Sequence, residues 1–286
     1  MLDKKVVDTL KSIVGDENVL TDAGDLLTYS YDGTPDQPQV LPEVVVMPES
    51  EEEIVQIVKL AKEEGLHIYT RGSGTNLSGG TIPLRKGIVL VTTRMNKIVE
   101  VDAENLTATV QPGVVINTLN DAVSPYGLMY PPDPGTVKTA TMGGSVSESS
   151  GGLRGLKYGV TKDYVMGVRM VLANGEVVTF GGKSVKNVAG YDLTKLVCGA
   201  EGTLGIITEI LVKLIAKPQY SKTMTATFNA LKDAGYAISG IIADKVVPAT
   251  MELLDQVTLQ VVEEYIHIGL PTDAKVMLLM QVDGNV

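Results

Sequence analysis

A glycine-rich run has the clearest potential for chemistry in this chain. Residues 72–80, "GSGTNLSGG", contain one large apolar side chain, Leu77. A run with so little to bury contributes nothing to a core, whereas glycine reaches positive φ values and main-chain N–H groups in such a turn can converge on phosphate oxygens. The run therefore predicts a place where the backbone approaches a ligand closely.

The spacing of the run excludes two familiar phosphate loops. A Walker A loop ends in Gly-Lys-Ser/Thr, but here the end is Gly79-Gly80-Thr81. A dinucleotide fingerprint, G-x-G-x-x-G, opens a helix, but here Leu77 takes the third glycine's place and a strand is predicted to follow. The run therefore needs another interpretation.

Two further segments share this character: "TMGGSVSESSGG" (141–152) and "GAEGTLGI" (199–206). We interpret the three segments as lying on separate strands and lining one elongated ligand. That ligand should have a phosphate end and a flat end that forms hydrogen bonds.

A strand–helix–strand unit must position the first run. Residues 43–48 are predicted as a strand, and Ser50 with Glu53 fits a capping box for the helix that follows. Gly65 is placed to end that helix. Residues 66–71 form the next strand, in which we interpret His67 as a packed residue.

Closely spaced strands follow the run: "GIVLVTT", "KIVEVD" and "LTATVQPG". Residues 114–127 are predicted as a short helix, 165–181 as a hairpin with a type I′ turn at Asn174-Gly175, and 202–215 as a strand. Cys198 lies in an apolar run and is predicted to be a core residue.

Both ends of the chain show regular elements. The N-terminus is predicted as an amphipathic helix that stops at Gly15. The composition changes near residues 216–222, and beyond that the pattern predicts a second α+β region, with strands at 223–228, 249–254 and 276–282 and helices at 229–242 and 256–266.

Charge and composition exclude several classes of protein. The 286 residues carry a net charge of −10, which argues against nucleic acid as a partner. A single cysteine excludes a disulfide framework. No segment resembles a signal peptide or reaches the roughly 18 apolar residues of a membrane span, so we predict a cytoplasmic protein.

Four motifs together carry a family resemblance: "RGSGTNLSGG", "PPDPGTVKTATMGGSVSESSGG", "KYGVTKDYV" and "KNVAGYDLTKLVCGAEGTLGIITE". They resemble the FAD-binding domain of the vanillyl-alcohol-oxidase type flavoproteins. Within that group they are similar to the GlcD-like branch, which includes the glycolate oxidase FAD subunit, D-lactate dehydrogenase and D-2-hydroxyglutarate dehydrogenase. The resemblance is dense over residues 40–218 and weaker in "PATMELLD" and "VMLLMQVDG".

The resemblance implies an α+β fold. Residues 1–218 are expected to form a PCMH-type FAD-binding domain of two α+β subdomains, about 1–95 and 96–218. Residues 219–286 are expected to be the N-terminal part of a ferredoxin-like cap, or substrate, domain that is truncated here.

The resemblance also implies roles in holding FAD. The first run would wrap the pyrophosphate, the second segment would line the ribityl chain and isoalloxazine with Tyr158 and Gly159 nearby, and the third would border the adenosine and pyrophosphate. The expected residues are Arg71, Gly72, Ser73, Gly74, Thr75, Asn76, Ser78, Gly79, Pro132, Asp133, Thr141, Met142, Gly143, Gly144, Ser147, Gly151, Tyr158, Gly159, Glu201, Gly202, Gly205 and Ile207.

FAD is expected to be bound without a covalent link. Some relatives attach flavin through a histidine inside the first motif, where this chain has Thr75, whose hydroxyl cannot make that bond. In the second motif this chain has Ser145, Ser149 and Ser150 where relatives often carry Asn or Ala. That departure is expected to alter polar contacts near the flavin ring.

The resemblance implies oxidation of a 2-hydroxy acid, such as D-lactate or glycolate, to the 2-oxo acid. Electrons would pass through FAD to a protein or quinone acceptor, for example an electron-transfer flavoprotein or an iron–sulfur subunit. An alternative interpretation is a complete, non-catalytic flavin-binding subunit that relays electrons within a complex. The particular hydroxy acid, the acceptor and the oligomeric state stay open.

No catalytic residue and no metal site is assigned. The histidine/glutamate metal cluster of the GlcD-like branch lies C-terminal of the point where this sequence ends, so a divalent metal is expected only there. The two histidines, His67 and His267, form no cluster in the sequence. "DGNV" at the end of the chain is interpreted as the end of a cap-domain strand, and the isolated chain is expected to show negligible turnover.

Overall fold

A computed structural model describes residues 2–285. Contacts between Cα atoms divide these residues into two compact units. The first comprises the described residues up to Tyr130 together with Thr136–Ser150 and Thr161–Ile215, and the second comprises Pro131–Gly135, Gly151–Val160 and the described residues from Ala216 onward. Two segments from the predicted first domain are thus grouped with the C-terminal region, and the division at residue 218 stays a prediction.

The first unit begins with a four-stranded sheet in the order β1-β2-β4-β3. β2 and β3 run parallel to β4 on its two sides, and β1 is antiparallel to β2. The glycine run therefore connects an outer strand, β3, to the central strand, β4. These elements are β1 (Val19–Leu20), β2 (Val44–Val46), β3 (Ile68–Arg71), β4 (Ile88–Val91), α1 (Lys4–Val14), α2 (Ala23–Leu27) and α3 (Glu51–Glu63).

The helix caps predicted from the sequence are confirmed. Ser50 Oγ accepts from the N–H of Glu53 at 3.2 Å, and Glu53 Oε2 accepts from the N–H of Glu49 at 2.7 Å. Gly65 follows α3 with φ +66, and the N–H of Gly15 donates to the carbonyl of Lys11 where α1 ends. α1 and α3 pack their apolar faces into one core with β2 and β4.

The rest of the first unit is built around a five-stranded antiparallel sheet in the order β5-β6-β10-β8-β9, and β7 pairs separately with β11. The strand-rich region and the short helix expected here are confirmed. The elements are β5 (Ile98–Asp102), β6 (Thr107–Val110), α4 (Ile116–Val123), β7 (Leu128–Met129), α5 (Met142–Glu148), β8 (Val165–Val171), β9 (Val177–Gly181), α7 (Leu193–Val197), β10 (Ile206–Lys213) and, at the division between the units, β11 (Ile215–Ala216).

The predicted type I′ turn between β8 and β9 is wrong. Gly175 has φ +85, but Asn174 is not among the residues with positive φ, and a type I′ turn requires both. The N–H of Gly175 donates to the carbonyl of Leu172 at 2.8 Å. The N–H of Leu172 donates to the carbonyl of Glu176, also at 2.8 Å. The connection is therefore a three-residue loop in which only the last residue is left-handed.

Two other predictions in the first unit need correction. His67 precedes β3 and is exposed, and its carbonyl accepts from the N–H of Ile88 at 2.9 Å. The second glycine segment does not lie on a strand but forms α5, since Thr141 caps a helix there by accepting from Gly144. Cys198 is a core residue as predicted, and burial raises the pKa of its thiol to about 11.

The second unit contains a three-stranded antiparallel sheet in the order β12-β14-β13. β14 lies between the two strands that α8 connects, so the arrangement is a split β–α–β unit, and all the elements predicted for this region are confirmed. The predicted elements are observed as β12 (Tyr220–Phe228), α8 (Leu231–Ala243), β13 (Thr250–Asp255), α9 (Gln256–Ile266) and β14 (Val276–Gly284). The second unit also contains α6 (Gly155–Tyr158), which was not predicted.

Within residues 2–285, none of the helices combines the length and apolar character required to cross a lipid bilayer.

Candidate cofactor site

Asp32 anchors the glycine run in the first unit. Its Oδ2 accepts from Asn76 Nδ2 at 2.7 Å and from Thr81 Oγ1 at 3.1 Å. Its Oδ1 accepts from the N–H of Thr34 at 2.9 Å, and Thr34 Oγ1 in turn accepts from the N–H of Gly79 at 2.8 Å. Sequence reasoning missed Asp32, although the local "YDGT" pattern is typical of a turn that a carboxylate organises.

The Asp32 carboxyl is held in its ionised form. Burial opposes ionisation, but hydrogen bonds from Thr34, Asn76 and Thr81 outweigh it and lower the pKa of Asp32 below its usual value. A buried carboxylate that accepts several hydrogen bonds is a strong anchor, and here each oxygen of Asp32 has at least one donor.

Arg71 is buried and packs against the glycine run. Its Nη1 donates to the carbonyl of Tyr31 at 2.6 Å, and its guanidinium lies 5.6 Å from the centre of the Tyr29 ring. Burial lowers the pKa of Arg71 and the charge of Asp32 opposes this effect, so the group remains a cation. Gly74 crosses over the guanidinium with φ +70, and any Cβ there would overlap Arg71.

The main chain of the run offers unused hydrogen-bond donors. Among residues 2–285, no hydrogen bond is formed by the N–H groups of residues 72–78, while that of Gly79 is engaged by Thr34. Backbone groups of folded proteins are normally paired, so a row of free N–H groups in a partly exposed loop suits an anionic ligand. The donor set therefore fits the diphosphate of a dinucleotide cofactor.

The structure brings the three glycine segments together in the first unit. Gly72 packs against Thr141 so closely that a Cβ would overlap its hydroxyl. Ser78 Oγ donates to both oxygens of Glu148, at 3.2 and 3.3 Å. The N–H of Glu201 donates to the carbonyl of Ser147 at 2.8 Å, which attaches the third segment to α5.

The start of α5 is tightly packed. The N–H of Gly143 donates to the carbonyl of Pro112 at 2.8 Å, and a Cβ on Gly143 would lie 2.6 Å from Pro112 Cβ. Gly144 is partly exposed beside the Thr141 hydroxyl. Met142, between Thr141 and Gly143, is 0% exposed.

Two serines that depart from the family pattern lie in this region. The hydroxyls of Ser145 and Ser149 are buried and have no hydrogen-bond partner within the described part of the chain. Ser150 Oγ instead lies 3.0 Å from Thr161 Oγ1. At two of the three positions where this chain has serine in place of Asn or Ala, the hydroxyl is therefore buried and unpaired.

The chain reverses direction in the third segment through residues with a left-handed backbone conformation. Glu201 has φ +50 and Gly202 has φ +73, and both are exposed. At Gly205 a Cβ would lie 2.6 Å from the carbonyl oxygen of Val171, so the glycine allows β8 and β10 to meet. Ile207 is only 6% exposed within β10.

The other expected site residues belong to the second unit: Pro132, Asp133, Gly151, Tyr158 and Gly159. In that unit Tyr158 OH donates to Asp283 Oδ2 at 2.8 Å, and Lys157 Nζ forms an ion pair with the same carboxylate. Burial, followed by the bond to Asp283, raises the pKa of Tyr158. Sequence reasoning placed Asp283 at the end of a strand, which is confirmed for β14, but missed this cluster.

Metal-binding geometry is absent from residues 2–285: no three His, Cys, Asp or Glu side chains are grouped to hold an ion. His267 has φ +57 at the end of α9, and like His67 it is exposed.

Family models match two parts of the chain. Residues 42–181 match the FAD binding domain, and residues 217–286 match the C-terminal domain of FAD linked oxidases. The first match includes the glycine run and α5, and the second includes the sheet of the second unit.

Curated relatives share much of the sequence. The glycolate oxidase subunit GlcD of Bacillus subtilis (strain 168) is 52% identical over 284 residues, which is 99% of this chain and 60% of that protein. GlcD of Escherichia coli (strain K12) is 36% identical over 91% of this chain and 52% of its own length. A D-lactate dehydrogenase of Archaeoglobus fulgidus is 38% identical over 82% and 53%, respectively. The chain thus spans little more than half of the length of these relatives.

Solved structures share the fold. An alkyldihydroxyacetonephosphate synthase matches with a TM-score of 0.84 and 25% identity, covering 100% of this chain and 56% of that one. A p-cresol methylhydroxylase with substrate bound matches with a TM-score of 0.78 and 20% identity over 98% of this chain and 60% of its own.

The fold and these matches define the PCMH-type, α+β architecture of FAD-binding oxidases. Within that class, the chain belongs to the GlcD-like family of FAD-linked oxidases.

Proposed function

We propose that this chain is the FAD-binding portion of a GlcD-like enzyme that oxidises a 2-hydroxy acid, such as glycolate or D-lactate, to the 2-oxo acid. When bound, FAD supplies the acceptor for the hydride that leaves the α-carbon. The observation that carries the proposal is the row of unpaired N–H groups at residues 72–78, where Thr141, Glu148 and Glu201 meet the same run.

Within the first unit, we propose that the run holds the diphosphate through its main chain. Asp32 and Arg71 keep that main chain in place, since each contacts the run from the protein side. The other proposed contacts with FAD are those implied by the resemblance: Gly72, Ser73, Gly74, Thr75, Asn76, Ser78, Gly79, Thr141, Gly143, Gly144, Ser147, Glu201, Gly202 and Gly205 in the first unit, and Pro132, Asp133, Gly151, Tyr158 and Gly159 in the second.

Met142 and Ile207 are proposed to support the site by packing, because both side chains are buried. The proposed domain division is an FAD-binding domain of residues 1–218 and part of a cap domain in residues 219–286. The proposed electron acceptor is a separate protein or quinone, and any divalent metal of the reaction is proposed to be held outside this sequence.

FAD binding by the 286-residue chain tests the first half of the proposal. Titration of the apo protein with FAD, followed by flavin fluorescence, should show saturable binding with one FAD per chain. FMN and riboflavin should bind more weakly, since they lack the diphosphate that the run is proposed to hold. Failure to bind FAD at micromolar concentration would contradict the proposal.

A chimera tests the second half. The matching 284 residues of Bacillus subtilis GlcD can be replaced by this chain, which is 52% identical over that stretch. The chimera should oxidise glycolate or D-lactate with an artificial dye acceptor under conditions in which the parent protein is active. A chimera that holds FAD but oxidises no 2-hydroxy acid would favour the electron-relay alternative.

A further inference from the structure

Two carboxylates stand beside the run that is proposed to bind a diphosphate. Glu148, on α5, accepts from Ser78 Oγ at 3.2 Å. A Cβ on Gly80 would lie 3.8 Å from Glu148 Oε1 and 3.6 Å from Glu201 Oε2. Both carboxyl groups therefore face the same glycine, at the end of the row of unpaired N–H groups.

This placement conflicts with the binding of an anion. A diphosphate adds negative charge next to carboxylates, and like charges close together are unfavourable when partly shielded from water. A carboxyl group can relieve the conflict by taking up a proton.

The charges around Glu148 make it the group that takes up the proton. Burial raises the pKa of Glu148, and the charges of Glu201 and Asp32 raise it further, while the hydrogen bond from Ser78 lowers it. Arg71, the nearby cation, is directed at the carbonyl of Tyr31, and its charge offsets that of Asp32. A second cation, Lys162, lies near Gly199 of the third segment: a Cβ on that glycine would be 4.0 Å from Lys162 Nζ.

We propose that Glu148, which faces Gly80 together with Glu201, takes up a proton when the diphosphate of FAD binds to the glycine run, so that the affinity for FAD falls as the pH rises. This inference rests on the proposed function, because it requires FAD at residues 72–80. The consequence for the protein is that an acidic medium favours loading with the cofactor and an alkaline one favours its release.

The direction of the pH dependence follows from the linkage between proton uptake and FAD binding. Added negative charge makes the pKa of Glu148 higher in the complex than in the free protein, so binding is tightest below the pKa of the free protein. Affinity then declines with rising pH and becomes constant above the pKa of the complex. Each unit of difference between the two pKa values changes the dissociation constant by about 10-fold.

The test is the dissociation constant of FAD for the full chain between about pH 5 and about pH 8, measured by flavin fluorescence. The wild type should bind about 10-fold more weakly at the alkaline end. Glu148→Gln should bind nearly equally at both ends and more tightly than wild type when alkaline. Glu63→Gln, an exposed position at the end of α3, makes the same change in charge and should follow the wild type.

Two further measurements separate the titration of Glu148 from a merely structural effect. Glu201→Gln removes a charge that raises the pKa of Glu148, so the decline in affinity should move to lower pH rather than vanish. Calorimetry in two buffers with different ionisation enthalpies should show proton uptake on binding for the wild type and much less for Glu148→Gln. Circular dichroism of the apo variants checks that they are folded.

The outcomes distinguish this inference from the proposed function. If FAD binds but its affinity is independent of pH, or if Glu148→Gln declines with pH as the wild type does, the inference is overturned and the proposed function stands. If the chain does not bind FAD at any pH, the proposed function fails first.

Discussion

The side-chain amide of Asn76 donates to Oδ2 of Asp32 at 2.7 Å and so ties the glycine run to a turn 44 residues earlier in the chain. Asp32 also accepts from Thr81 beyond the run and, through Thr34, reaches Gly79. A loop with so few side chains has little packing to define its shape. Its conformation therefore depends on hydrogen bonds to one carboxylate.

Replacing this carboxylate should weaken cofactor binding. Asp32→Asn removes the charge that accepts from three neighbours, and hydrogen bonds to a charged group contribute about 1.5–3 kcal/mol each. We expect FAD affinity to fall by at least about 10-fold, measured by fluorescence titration, together with a lower melting temperature. Asp36→Asn, at an exposed position nearby, is the matched control and should change neither quantity.

The same residue predicts an effect of pH on stability. Because the pKa of Asp32 is lowered from 3.8 by folding, its contribution is present above that value and is lost as the pH falls through the lower pKa of the folded state. Urea unfolding below about pH 4 should therefore show a steeper loss of stability for the wild type than for Asp32→Asn. Parallel losses in the two proteins would argue that Asp32 is not held as an anion.

Gly74→Val should abolish FAD binding far more than it damages the fold. Gly74 has φ +70, which a β-branched residue adopts poorly, and its side chain would overlap the Arg71 guanidinium. The displaced backbone would no longer direct its N–H groups towards the diphosphate. Gly24→Ala, where a Cβ meets nothing within 4 Å, is the control. Equal loss of flavin binding and of circular dichroism would mean that the run is only a structural loop.

The bound FAD should be released by acid. Thr75 stands where some relatives have a histidine that links flavin, and it lacks the imidazole nitrogen that forms that link; its Oγ1 lies 3.5 Å from Ser73 Oγ. After precipitation with trichloroacetic acid, yellow FAD should appear in the supernatant. Flavin that stays with the washed pellet would show a covalent attachment.

Glu51 should contribute to the stability of the first unit at neutral pH. Its two oxygens accept from Arg169 Nε and Nη2 at 2.8 and 2.7 Å, and Thr208 Oγ1 donates to it at 2.6 Å. This contact lies within the first unit and joins α3, which packs on the four-stranded sheet, to β8 and β10 of the five-stranded sheet. Since Arg169 is largely exposed, we expect Glu51→Gln to lower the free energy of unfolding by about 1 kcal/mol, and Glu52→Gln to have little effect.

The Glu51 contribution should also vanish in acid. Burial opposes its ionisation, but Arg169 and Thr208 prevail and lower the pKa of Glu51 from 4.5, so the stabilising effect is present above that value and is lost as the pH falls through the folded-state pKa. Chemical denaturation at about pH 7 and about pH 3 should show a smaller difference in the free energy of unfolding between wild type and Glu51→Gln at the lower pH.

Much of the fold follows from local sequence. The caps of α3 at Ser50 and Gly65 and the alternation of strands and helices after residue 220 depend on neighbouring residues, and each was predicted from the sequence. The type of turn at Asn174 was not, because an Asn-Gly pair is compatible with loops of two or three residues and the pairing of β8 with β9 decides between them.

The sequence by itself predicted that three segments poor in side chains serve a ligand, because segments of this composition contribute little to a core and occur at three places. It also determined the family, through motifs in a fixed order. Only the tertiary structure decided that Asp32 and Arg71 hold the first run, that the second segment starts a helix, and that Glu148 and Glu201 face one glycine. These relationships join residues far apart in the chain, and no local propensity specifies which distant side chain a backbone turn will meet.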